Sequence, residues 1–388
     1  MRAMSSSQKS ERRAGFTLVE LMVALTLGAL VIASVYTLGA VSARHFQEQQ
    51  RVSQLQLSTR IALERVRRDA SLAGFGGTPD SAAERSCGTG GGVSRFFGVT
   101  VTDHDPGGMS ALATMPGAAG SNVHADRLRM VGNFDTGDVY LVRDYSGVSI
   151  NLQTNWQGFR RSFIDQSGTA VDSNLFESVF ADGRIVRITH PTGGTFFATI
   201  GSTTVAGPGN VTVRLTSSLP ACADVCMGCT IAPLSGVEYF LAPAPLELES
   251  TIAVAVTGPN TVLMRGLFDP GTGLSLADTA RPVLEWAVHF DVDPIVNTAA
   301  ITTLLPALAL QNDTTVSGLG GLRASGIYSL DITLAARTPE QDGNFPWVAP
   351  VAGRPLTRFR SSTTLPGAMR VRTAHSEVLL PNIAYRGM

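Results

Sequence analysis

The chain runs to 388 residues with a net charge of −1 over 30 basic and 31 acidic side chains, and only 16% of its residues are charged, against roughly 25% in an ordinary soluble domain. That length supports a substantial core and argues against a disordered or collagen-like chain, while the near-neutral balance argues against a protein that binds nucleic acid by bulk phosphate neutralisation. The basic residues are Arg throughout except for Lys9, a bias that reads as codon usage rather than chemistry.

At the N-terminus, residues 1–15 carry Arg2, Lys9, Arg12 and Arg13 against Glu11 and contain no apolar stretch. They read as a cytoplasmic leader. Residues 16–41, FTLVELMVALTLGALVIASVYTLGAV, hold a single ionisable side chain, Glu20, and about 20 apolar residues suffice to cross a bilayer core. The segment therefore predicts one transmembrane helix, and the basic residues ahead of it predict a cytoplasmic N-terminus with everything after Val41 outside.

No Pro interrupts the chain between Phe16 and Gly77, so the helix is expected to continue through residues 42–76, on the order of 85 Å in all at 1.5 Å per residue. Val52, Leu55, Thr59, Ala62, Val66, Ala70 and Ala73 recur at spacings of three and four, opposite Arg51, Arg60, Glu64, Arg67 and Arg68. Such a stripe predicts that this half of the helix packs on a globular head.

Residues 77–388 show short runs rich in Val, Ile, Thr and Phe, punctuated by Gly, Pro, Asn and Asp, which predicts strands. Examples are 126–134, 138–145, 183–190, 210–218 and 236–242, and 251–268 reads as a hairpin turning at Gly258, Pro259 and Asn260. Segments 103–123 and 296–321 read as long surface loops. The expected class is α+β, with a long N-terminal helix packed on a large β-rich head.

The strongest chemical feature of the head is the cysteine set Cys87, Cys222, Cys226 and Cys229. A zinc site would need paired CxxC knuckles that are absent, and an oxidising exterior favours disulfides. One bridge inside the 222–229 cluster and one from Cys87 to that cluster are expected, with the partners left open. Asp103 and Asp105, flanking His104, and Asp291, Asp293 and Asn297 offer oxygen ligands without the Gly and Glu spacing of a calcium loop. They read as solvated acidic loops, and no metal is assigned.

The remaining histidines, His45, His124, His190, His289 and His375, are scattered in sequence, and no GxSxG, HExxH or GK[ST] motif accompanies them. No enzyme activity and no cofactor are expected. Trp156, Phe159, Arg160, Arg161 and Phe163 interleave aromatic and basic groups of the kind that stack on nucleic acid or glycans. They read instead as a strand or loop edge with Arg outside, and no nucleic-acid partner is expected.

The junction RRAGFTLVEL, residues 12–21, resembles the class III leader of type IV pilins and type II secretion pseudopilins, with Ala14 standing where many members carry Lys or Arg. The resemblance implies a cut by prepilin peptidase between Gly15 and Phe16, methylation of the new N-terminal Phe16, and pairing of Glu20 with the terminal amine of a neighbouring subunit. An unpartnered carboxylate within lipid costs a few kcal/mol, so such a pairing has a physical motive. Four further segments, LERVRRDASLAGFGG at 63–77, PVLEWAVHFDVD at 282–293, IYSLDITLAART at 327–338 and SEVLLPNIAYRG at 376–387, are similar to PilW-type minor pilins.

This likeness implies a non-catalytic subunit, anchored in the inner membrane with its head in the periplasm and later carried to the pilus or cell surface. Its partners would be other minor pilins and the major pilin, with which it would help to initiate pilus assembly at or near the tip. A J-type pseudopilin of type II secretion and a tip adhesin or DNA-uptake subunit are the alternatives. Residues 88–280 carry no family motif.

Overall fold

A computed structural model describes residues 17–75, 96, 98–113, 115, 117, 123–165, 168, 170–191, 194–207, 209–219, 226–244, 260–298, 301–304, 327–349, 351 and 354–384. They fall into two compact units, Met1–Gln54 and Leu55–Met388. Helix α1, Leu18–Leu72, contributes to both.

In the first unit the large apolar side chains of α1 between Leu18 and Val41 are exposed. The Ser and Thr side chains among them turn inward on the helix itself. Thr26, Ser34 and Thr37 donate their hydroxyls to the carbonyls of Val23, Leu30 and Ser34 at 3.0, 2.8 and 2.9 Å. In a medium without water this satisfies each hydroxyl inside its own helix.

In the second unit α1 buries Leu55, Thr59, Ala62, Leu63, Val66, Asp69 and Ala70, the spacing of the expected stripe. The helix stops at Leu72, short of residue 76. Gly74 ends it by adopting φ +78°, and its N–H donates to the carbonyl of Val131 at 2.9 Å. A left-handed residue just past a helix is ordinarily Gly because a Cβ is strained there. Here a Cβ would also lie 2.5 Å from Cγ1 of Ile383.

The head is built from antiparallel strands. Its larger sheet contains β1 (Val99–Thr102), β2 (Arg127–Gly132), β3 (Tyr140–Ser146), β4 (Ser149–Leu152), β5 (Ile185–Thr189), β6 (Thr195–Val205), β7 (Val211–Leu215), β8 (Thr230–Pro243), β9 (Thr261–Phe268) and β10 (Arg281–Glu285). The order runs β1-β2-β8-β3-β4-β7-β6-β5, and β5 pairs again with β8, so that six strands close into a ring. β8 also carries β9, and β9 carries β10. As the hub of these pairings β8 is buried almost end to end, and it starts at Thr230, well before the run 236–242 that its sequence marks most clearly.

The ring is packed with aromatic side chains. Tyr140, Phe159, Phe163, Phe176 and Phe180 are all buried, with neighbouring ring centroids 4.8–6.2 Å apart. Three of them come from two short helices, α3 (Gln157–Phe163) and α4 (Ser173–Val179). Asp172 caps α4 by accepting from the Leu175 N–H at 3.0 Å. The expected strand or loop edge at residues 156–163 is therefore a helix: Phe159 and Phe163, four apart, share its buried face, while Arg160 and Arg161 are exposed.

A second sheet is ordered β12-β11-β13-β15-β14, from β11 (Ala287–Thr298), β12 (Ile301–Leu304), β13 (Ile327–Arg337), β14 (Arg358–Phe359) and β15 (Met369–Leu379). Its Phe290, Val292, Leu330, Ile332 and Val371 share one core with the buried stripe of α1 and with Leu128, Val237 and Tyr239 of the larger sheet. Two expected loops are also revised. Segment 103–123 contains helix α2 (Pro106–Ala113), and segment 296–321 contains the end of β11 and all of β12. The first half of the expected hairpin, residues 251–259, lies outside the described residues.

The last element among the described residues is a short turn of helix, α5 (Pro381–Ala384). Asn382 donates its side-chain amide to the carbonyl of Ser71 at 3.0 Å, so the last element returns to the end of the first.

Candidate functional site

The N-terminal segment TLVE places a hydroxyl three residues ahead of a carboxylate, the spacing of a capping box. Thr17 donates its backbone N–H to Glu20 Oε2 at 3.0 Å and its hydroxyl to the same oxygen at 2.9 Å, while the Glu20 N–H donates to Thr17 Oγ1 at 3.2 Å. The bonds to Glu20 use Oε2 alone, and the carboxylate sits in the first turn of α1, where the helix dipole favours negative charge. Thr17-x-x-Glu20 is a signal that the sequence reading passed over. Gly15 and Phe16, the expected cut, lie outside the described residues.

Cys226 and Cys229 form a disulfide with their Cα atoms 5.1 Å apart, and both are buried in the core of the six-stranded ring. Cys87 and Cys222 lie outside the described residues.

The head holds a second chemical feature, and it corrects the reading of two solvated acidic loops. Asp105 is buried and ion-paired with Arg127, which lies 2.9 Å from its Oδ1, and Arg127 also reaches Glu238 at 3.0 Å. Beside them the sequence carries His-x-Asp twice, at His124–Asp126 and His289–Asp291. In extended chain, residues two apart share a face. Ala125 and Phe290 pair as an isolated parallel bridge, which sets His124 beside His289 and Asp126 beside Asp291. The His124 N–H donates to His289 Nδ1 at 3.0 Å, the Phe290 N–H to the carbonyl of His124 at 2.9 Å, and the Asp126 N–H to the carbonyl of Phe290 at 2.9 Å.

The turn after β1 brings in Asp103 and His104, with His104 at φ 50°. Ring centroids of His104 and His124 are 4.6 Å apart and those of His124 and His289 are 5.5 Å apart. Three histidines that look scattered in sequence are thus neighbours. His104 Nδ1 is hydrogen-bonded to Asp103, and His124 Nδ1 lies 3.5 Å from Asp291 Oδ1 and 3.9 Å from Asp103 Oδ1. Asp126 is fully buried; its Oδ1 accepts from the His104 N–H at 3.1 Å and its Oδ2 from the Val292 N–H at 2.9 Å.

Burial dominates the electrostatics of this cluster. It pushes Asp126 up to about 8 despite those two backbone donors, and the charges of Asp291 and Asp103 add to the rise. Burial, then Asp291 and Asp331, raise Asp293 to about 6, and burial with nearby His124 lowers His289 to about 4. His289 accepts at Nδ1, so its neutral tautomer carries the proton on Nε2, 3.9 Å from Asp291 Oδ2. Among the described residues no Arg lies within ion-pairing distance of Asp103, Asp126 or Asp291.

Residues 11–36 match the family described as the prokaryotic N-terminal methylation motif. No curated protein matches the chain, and no solved structure does. The chain thus carries the N-terminal signal of type IV pilin-like and pseudopilin precursors, which implies processing by prepilin peptidase. With the one helix among the described residues that is long and apolar enough to cross a membrane, the signal suits single-pass anchoring.

Proposed function

We propose that this chain is a minor pilin of a type IV pilus, cut after Gly15, that helps to start the fibre and stays at or near its tip. The supporting observation is the Thr17–Glu20 box at the head of a helix whose apolar side chains are exposed from Leu18 to Val41, within the methylation signal. A carboxylate at that depth needs a partner in lipid or in a fibre core. The cut creates an amine at Phe16, and the amine of a neighbouring subunit is the cation that neutralises Glu20 as helices pack together. The role is structural rather than catalytic.

Glu20→Ala tests this reading. The variant inserts in the inner membrane as the parent does and is lost from sheared fibres; parent-like incorporation would overturn the pairing. A J-type pseudopilin would share this behaviour, so the gene is also deleted. Loss of surface pili with normal export of hydrolases supports the pilus, and the reverse supports the secretion system.

A further inference from the structure

The carboxylate and imidazole cluster in the head is unexplained by a filament role. Asp103, His104, His124 and Asp126 each present a ligand atom, and these four atoms lie within 4.8 Å of one another. Around a tetrahedral zinc ion with bonds near 2.0–2.1 Å, donor atoms stand about 3.4 Å apart. Modest side-chain closure therefore suffices to surround an ion. We propose that these four side chains form a binding site for one divalent transition-metal cation of the zinc type, with His289 and Asp291 supporting them.

Donor chemistry selects the class of ion. Two imidazole nitrogens and two carboxylates suit zinc and its first-row neighbours, whereas calcium and magnesium take oxygen almost exclusively. A second, independent observation comes from His124. Its Nδ1 is shut away from solvent and makes no hydrogen bond, with Asp291 Oδ1 3.5 Å away as its nearer carboxylate, an arrangement that costs free energy unless something closer engages its lone pair or proton. A metal ion is such a partner.

Charge points the same way. Arg127 is committed to Asp105 and Glu238, and among the described residues no Arg pairs with Asp103, Asp126 or Asp291, so a cation held by these carboxylates has no guanidinium to displace. The site is also supported and accessible. His289 accepts from the backbone of His124, and Asp126 is fixed by two backbone donors that leave further lone pairs on its oxygens. Outer partners of this kind orient ligands in known metal sites. His104 is half-exposed and forms the mouth, while Asp126 forms the floor.

The test uses the full-length chain in detergent, stripped with a chelator and titrated with Zn2+ alone against a chromogenic competitor, with Ca2+ titrated in parallel. One equivalent of Zn2+ should bind, and Co2+ in its place should give visible absorption bands of nitrogen and oxygen ligation. His104→Ala and His124→Ala should each weaken binding by roughly tenfold or more, and His190→Ala should leave it unchanged. His104 is exposed enough that its loss spares the fold, which circular dichroism verifies. Absence of Zn2+ binding, binding equal in the His104→Ala/His124→Ala double variant, or binding of Ca2+ but not Zn2+ would each overturn the proposal.

Discussion

Asp69 lies one turn before the end of α1, and a single oxygen of it accepts from both Tyr239 Oη and Arg265 Nε at 2.7 Å. Tyr239 is fully buried and belongs to the hub strand β8, so this carboxylate ties the helix to the centre of the larger sheet. Burial and the adjacent charge of Asp69 hold the Tyr239 phenol far above its usual range, which keeps it a donor. Removing one partner of such a group strands the others without water. Asp69→Ala should cost about 3 kcal/mol, discounted because Arg265 keeps some solvent contact; a shifted denaturant midpoint with unchanged slope is the measurement. Asp69→Asn retains an acceptor for Tyr239 and should lose less. Burial of this aspartate was not legible in sequence, since it follows Arg67 and Arg68 and stands outside the apolar stripe that Val66 and Ala70 continue.

Helix α1 is the element that sequence reports most completely. A long apolar run, the absence of Pro and spacings of three and four are local signals, and each survives in the folded chain because no distant partner is needed to produce it. Two arginines at its apolar centre, Val31→Arg with Ile32→Arg, should add about 6–8 kcal/mol to insertion on translocon scales. Alkaline extraction of membranes should then release a chain that the parent retains. Short helices are harder to read: Phe159 and Phe163 carry the helical spacing, but a seven-residue element offers only one such pair. The paired His-x-Asp segments were visible as text and meaningless as chemistry until the Ala125 and Phe290 bridge joined positions 165 residues apart.

At the scale of the whole molecule, the second compact unit, Leu55–Met388, takes up most of the 388-residue chain. Such bulk is difficult to repeat at every helical step of a shaft, so on the proposed role the subunit is rare and terminal. Immunogold labelling with antibody to the head should mark fibre ends sparsely, and dense labelling along the shaft would count against it. The β-rich character of this head was legible from its alternating runs, but its closed six-strand ring was not, because closure depends on β5 and β3 finding opposite edges of the same strand.

The latch between the end of α1 and α5 bears on timing. Ile383 packs close to Gly74, and Asn382 bonds to Ser71 across a sequence separation of 311. Contacts of that range form late, because loop closure must be paid for before they contribute. The seat of the helix end is therefore complete only once α5 has folded back onto it. A chain without α5 would leave the end of α1 without the Asn382 hydrogen bond and the Ile383 contact, so the fit of the helix end onto the head depends on residues far away in sequence.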